Sequence, residues 1–209
     1  MRDTPAPRRG RPKDPAKRAA ILEAAKALFL RDGYRATSIE AVALDAGVSK
    51  LTVYSHFKDK ACLFATAVHE KTHEILPLPS FRVDADTDLR GLLNQIGVQF
   101  LTLVNTPEAI AMHRLLISPA ADPAMAELFF NAGPRPMLEA METLLREADR
   151  LGLVRIDDPA SATDQLYGLL QGCRQMQVLI RCALPHSDGE RRKQVANAVD
   201  AFLRAYRTA

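Results

Sequence analysis

Apolar residues recur along this chain at the spacing of a helix, and nowhere with the strict alternation of a half-buried strand. Ile21, Ala25, Leu28 and Phe29 stand at i, i+4, i+7 and i+8. They form one stripe on a helix that starts after Asp14-Pro15, where the carboxylate caps and the proline takes the first turn, and stops at Gly33. Thr37-Ser38-Ile39-Glu40 reads as a capping box opening a second helix, with Ile39, Val42 and Ala43 turned inward and Gly47 as its stop. Ser49 caps a third helix from Lys50 to His56, in which Val53 and the following Phe57, four apart, face inward. Asp59 opens a fourth through Leu63, Phe64, Ala67 and Val68, running to Pro77.

After the linker PLPSFRVDAD the pattern stays helical. Leu89, Leu92, Leu93, Ile96 and Phe100 make a stripe within residues 86–104. Pro107, Pro123, Pro134 and Pro159 follow Thr106, Asp122, Gly133 and Asp158, each placed to start a helix. The predicted helices are 107–117, 123–132, 134–151, 159–183 and 188–206, with Gly152 as a C-terminal stop. The fold class is therefore all-α: an N-terminal three-helix domain carrying a helix-turn-helix, then a helical C-terminal domain.

The helix-turn-helix carries the first chemistry. Its second helix puts Lys50, Thr52, Tyr54, Ser55 and His56 on barely two turns. A helix of that size fits the major groove of B-DNA, where lysine, hydroxyls and a tyrosine edge reach bases and phosphates. Charge supports this placement. Residues 1–60 hold 13 Lys/Arg against 7 Asp/Glu, whereas the whole chain is only +3, so a basic N-terminal surface for a polyanion joins a mildly acidic body. Ahead of the first helix, Arg8-Arg9-Gly10-Arg11-Pro12-Lys13 cannot form a stable helix. Its Arg-Gly-Arg-Pro core resembles an AT-hook, in which Arg9 and Arg11 would enter a narrow minor groove; the alternative is a solvated basic tail adding only non-specific attraction.

With 209 residues and 47% hydrophobic content the chain can bury a sizeable core. It has neither a signal-peptide h-region nor ~18 uninterrupted apolar residues, so a cytoplasmic protein with no membrane partner is expected. Three cysteines without a C-x-x-C argue against a disulfide framework or thiolate zinc site. His69-Glu70-Lys71-Thr72-His73 matches H-E-x-x-H, the zinc-holding pattern of metalloproteases. The metzincin continuation needs Gly and His where Leu76 and Pro79 stand, and nothing downstream identifies a third ligand. No carboxylate pair, nucleophile–base set or phosphate loop appears in the body. The expectation is no catalytic residue, no metal and no cofactor. Two other classes stay open: a metal-binding protein or hydrolase using HEKTH, and an interaction protein whose basic arm binds nucleic acid non-specifically.

The run GYRATSIEAVALDAGVSKLTVYSHFKDKACLF, Gly33 to Phe64, resembles the DNA-binding half of TetR-family transcriptional regulators. The resemblance implies a homodimer that reads a palindromic double-stranded operator, most simply as a repressor released by a small-molecule effector. It divides the chain into an arm (1–14), a DNA-binding head (15–58) and a ligand-binding and dimerisation domain (59–209). It implies phosphate contacts at Thr37, Ser38 and Lys60 and a groove-lining set of Ser49, Lys50, Leu51, Thr52, Tyr54, Ser55 and His56. Leu51 departs from the pattern, since many relatives have glycine there; it either meets a thymine methyl or shifts the helix outward. The segments MHRLLISPAADPAMAELFFNAGPRPMLEAMETLL and GLVRIDDPASATDQLYGLLQG resemble the C-terminal domain of the AefR-like subgroup. Phe100, Met112, His113, Phe129, Phe130, Met141 and Met176 are the candidate walls of an effector cavity. The apolar faces of the last two helices, including Leu166, Leu170, Val195, Val199, Phe202 and Leu203, are the candidate dimer interface, which the resemblance makes a four-helix bundle with a second copy.

Overall fold

The computed structural model describes residues 14–119 and 122–207. Among these residues the elements are α1 (Pro15–Ala36), α2 (Ile39–Asp45), α3 (Lys50–His56), α4 (Lys60–Ile75), a single 3-10 turn (Leu78–Ser80), α5 (Leu89–Val104), α6 (Pro107–Leu116), α7 (Pro123–Ala132), α8 (Pro134–Arg150), α9 (Pro159–Leu179) and α10 (Asp188–Ala205), with no strand. The chain divides into two compact units, one ending at Phe64 and the other beginning at Ala65.

In the first unit the stripe of α1 is fully used: Ile21, Ala25, Leu28 and Phe29 are buried. Phe29, Tyr34 and Phe64 interlock, Phe64 meeting Phe29 edge-on at 5.1 Å and Tyr34 at 5.4 Å between ring centres. Gly33 breaks α1 at φ 81°, but one further turn follows, to Ala36. The expected capping box at Thr37 does not form. Thr37 is buried and its hydroxyl donates backward to the Gly33 carbonyl at 2.8 Å. Ser38 is the cap, accepting from the Ala41 N–H at 3.1 Å. The glycine break leaves a carbonyl to satisfy, and Thr37 is the residue within reach.

In the second unit α5, α8, α9 and α10 surround one core containing Leu93, Ile96, Phe100, Leu101, Met141, Leu145, Leu166, Leu170, Val199 and Phe202. Gly97 permits the closest approach: a Cβ there would lie 2.7 Å from Val195 Cγ1 and 2.8 Å from Leu170 Cδ2. Each proline-initiated helix has the expected cap except α8, where Gly133 has no side chain to offer. Two features were not foreseen. Helix α9 is broken at Gly172 (φ 52°, ψ −163°), and it ends at Leu179, short of the predicted 183, as Arg181 turns to φ 66°. At the break, Gln194 of α10 donates its amide to the carbonyls of Leu169 (2.9 Å) and Leu170 (3.3 Å). From α6, Arg114 satisfies the end of α9, donating to Val178 O at 2.6 Å and Leu179 O at 3.0 Å. Among the described residues no helix is long and apolar enough to cross a membrane.

Candidate nucleic-acid interface

The turn between α2 and α3 is closed by Gly47 at φ 64°, with the Val48 N–H donating to the Ala43 carbonyl at 2.9 Å. Ser49 then caps α3, accepting from the Thr52 N–H at 3.1 Å. Val53 is wholly buried and Phe57 nearly so, with the Arg18 guanidinium 5.6 Å over the Phe57 ring. Those two contacts fix α3 about its own axis, which leaves Lys50, Leu51, Tyr54 and Ser55 exposed and Thr52 and His56 half-buried. Several of the polar tips expected to face the groove are already engaged. Lys50 Nζ donates to Glu40 Oε1 at 2.5 Å and lies 5.7 Å from the centre of the Tyr54 ring. That hydrogen bond holds the Glu40 carboxyl below its usual range and raises Lys50. The Ser49 and Thr52 hydroxyls share a hydrogen bond at 2.9 Å, and Ser55 donates to Thr52 O at 2.7 Å.

Two of the three expected phosphate contacts need correction. Thr37 is 2% exposed, with its hydroxyl turned to Gly33. Lys60 directs its ammonium at the carbonyls of Tyr34 (2.8 Å), Thr37 (3.0 Å) and Arg35 (3.4 Å) and sits 4.5 Å from the Tyr34 ring centre. It serves as a cationic cap on the end of α1, where carbonyls lack helical partners. Ser38 remains exposed at the start of α2. Arg9 and Arg11 lie outside the described residues.

Residues 21–67, which contain this helix-turn-helix, match the family described as bacterial regulatory proteins, tetR family. Residues 91–208 match the AefR-like transcriptional repressor C-terminal domain, more than half of the chain. The chain belongs to the TetR family. It is 25% identical over 162 residues to the uncharacterized HTH-type transcriptional regulator YdeS of Bacillus subtilis, covering 77% of this chain and 79% of that one. Among solved structures, the flavonoid-responsive regulator FrrA superimposes with a TM-score of 0.74 at 26% identity, over 93% of this chain and 98% of its own. A TetR transcriptional regulator from Agrobacterium tumefaciens gives 0.74 at 25% identity, over 92% and 95%. These relatives are transcriptional regulators, a class that is not enzymatic.

The second unit of this TetR-family chain redistributes the remaining candidates. Phe100, Met112 and Met141 are buried. His113 Nδ1–H donates to the Ala109 carbonyl, 2.7 Å away, and the ring meets Phe129 edge-on at 5.7 Å; burial pushes its imidazole below the ordinary histidine value against that hydrogen bond. Phe130 and Met176 are surface residues, 41% and 66% exposed. They fall on the outer faces of α7 and α9 and are not cavity walls. A surface groove of about 410 Å³ is lined by Arg155, Asp157, Asp158, Ser161 and Tyr206, and by none of the candidate effector residues. The expected dimer residues are corrected as well: Leu166, Leu170, Val195, Val199 and Phe202 are at most 1% exposed, and Leu203 packs against the same core. The protomer itself consumes those stripes. What α9 leaves outside is Leu169, Cys173, Met176 and Ile180.

Sequence reading missed three residues. Glu40 reads from the sequence only as a capping carboxylate, because its partner Lys50 is ten positions away. Thr163 and Tyr167, one turn apart on α9, are buried with hydroxyls that have no hydrogen-bond partner among the described residues. Burial pushes the Tyr167 phenol far above its usual value, and its ring lies 4.6 Å from that of Phe100. Their spacing on an apolar stripe was the available signal. His69 and His73 stack on the exposed face of α4 at 6.1 Å, and no group of three or more potential metal ligands occurs among the described residues.

Proposed function

We propose that this chain is a ligand-responsive repressor that binds a palindromic operator as a homodimer. The observation that supports it most directly is the outward face of α3, where Leu51, Tyr54 and Ser55 are exposed while Val53 and Phe57 lock the helix from behind. Residues 15–58 act as the head, the arm 1–14 adds attraction through Arg9 and Arg11, and residues 59–209 bind effector and pair with a second copy. Lys50, Thr52, Tyr54, Ser55 and His56 face the groove, Ser49 flanks it, and Ser38 meets a phosphate. Two heads on a two-fold axis match half-sites about one DNA turn apart.

The effector binds in the second unit, near Phe100, Thr163 and Tyr167. Buried hydroxyls without partners each cost about 1–3 kcal/mol, so a ligand that supplies hydrogen bonds there gains that amount of differential affinity. Among the described residues no lysine or arginine is buried, which favours a neutral, largely aromatic molecule with hydroxyl or carbonyl groups over an anion. The flavonoid response in the name of FrrA fits this chemistry and makes flavonoids the first ligands to try. Helix α4 begins in one unit and continues into the other, so it is the covalent route by which effector binding changes the spacing of the two α3 helices.

The test is selection from a random library of roughly 30-bp duplexes with full-length protein. Fluorescence anisotropy of the selected duplex then follows, with and without naringenin, a neutral flavonoid. One palindrome bound by two protomers, weakened at least tenfold by Tyr54→Ala with no change in melting temperature, is expected. Enrichment of no sequence would remove the operator reading. Equal affinity across a flavonoid series would remove this effector class alone.

A further inference from the structure

On α3 the polar side chains that could read base edges are mostly held by the protein itself. Lys50 is on Glu40, the Thr52 hydroxyl is on Ser49, and Ser55 donates to its own helix. Leu51 is the reverse case: a large apolar side chain, 79% exposed, in the first turn of the helix. Nothing in the head requires leucine at this site, since Val53 and Phe57 supply the apolar contacts that seat α3. Leu51, Tyr54 and Ser55, at i, i+3 and i+4, share one helix face, and Tyr54 is itself 44% exposed. An apolar side chain beside an aromatic ring is matched in the major groove by one group alone, the C5-methyl of thymine.

We infer that Leu51 reads a thymine methyl in each half-site. Tyr54 forms the adjoining wall, and Glu40 holds the Lys50 ammonium away from the guanine edge it would otherwise seek. The specificity at that base pair is then hydrophobic. It discriminates thymine from cytosine by burying one methyl group rather than by a hydrogen bond, and an alanine at position 51 loses the preference. This inference rests on the reading of α3 as the DNA-contacting helix.

The experiment starts from the duplex selected with full-length protein. Each thymine is replaced singly by deoxyuridine, which deletes the methyl and leaves every hydrogen-bonding group, and affinity is measured by anisotropy for the wild type and for Leu51→Ala. One thymine per half-site should lose roughly fourfold on replacement, the value of one buried methylene-sized group, and Leu51→Ala should bind thymine and deoxyuridine equally there. The exposure of Leu51 predicts an unchanged melting temperature for the variant. A duplex in which every thymine tolerates deoxyuridine, or a methyl effect that persists in Leu51→Ala, overturns the assignment while leaving operator binding intact. A selection that enriches no duplex overturns the underlying reading, and this one with it.

Discussion

Lys60 shows how one residue type takes different work from its surroundings. A lysine at a helix start in a basic head is an obvious candidate for a phosphate, yet its three donors point at the carbonyls of Tyr34, Arg35 and Thr37. Charge-assisted hydrogen bonds to groups that would otherwise be unsatisfied contribute more than a solvated ion pair. Lys60→Met should therefore lower the unfolding free energy by about 1–2 kcal/mol in urea denaturation. The salt dependence of operator binding should be unchanged, because no counterion-releasing contact has been lost. An unaltered midpoint with a salt slope reduced by about one would return Lys60 to the phosphates. The same logic separates Thr37, turned inward by the glycine break, from Ser38, which caps α2 and remains exposed. Nothing in the Thr-Ser-Ile-Glu string selects between the two hydroxyls; the extra turn of α1 after Gly33 does.

Glycines within helices carry the information at the scale of elements. Gly97 interrupts an otherwise apolar stripe in α5, and propensity alone would make alanine about 1 kcal/mol better. The three-helix contact reverses that sign. With a Cβ placed 2.7–2.8 Å from Val195 and Leu170, whose own side chains are closely surrounded, Gly97→Ala should destabilise the protein by about 1–3 kcal/mol. Calorimetry would show a melting temperature lowered by a few degrees, and a raised one would mean that the neighbouring side chains repack without cost. Gly172 differs in kind: its φ and ψ are accessible to glycine alone, and Gln194 donates to the carbonyls beside the break. Helix starts were legible from the proline and capping pattern because those signals are local. The break in α9 was not, because its hydrogen-bond partner lies on α10.

For the whole molecule the question is which apolar surface remains after the core is built. Cys173, Met176 and Ile180 recur at i, i+3 and i+7 after the Gly172 break in α9, with Leu169 exposed before the break and Leu184 82% exposed beyond the helix. A two-fold partner would cover this stripe with its own copy. Ile180→Glu, made at a residue 57% exposed, should halve the sedimenting mass at micromolar concentration while circular dichroism stays helical. Leu166→Glu, in the core, should instead lose the helical signal. A dimer that persists in Ile180→Glu would place the pairing surface elsewhere.

The helical class, most helix boundaries and the helix-turn-helix were legible in the order of residues alone. These depend on periodicity, caps and turns, which act within a few positions of one another. Which apolar stripes the protomer keeps, that Lys50 and Lys60 are held by the protein, and where hydroxyls are buried without partners emerge from the packed fold. Those outcomes depend on contacts between residues far apart in the chain, Glu40 with Lys50, Tyr34 with Lys60 and Phe100 with Tyr167 among them. A stripe on one helix shows only that something apolar must cover it; the packing of the other helices settles what does.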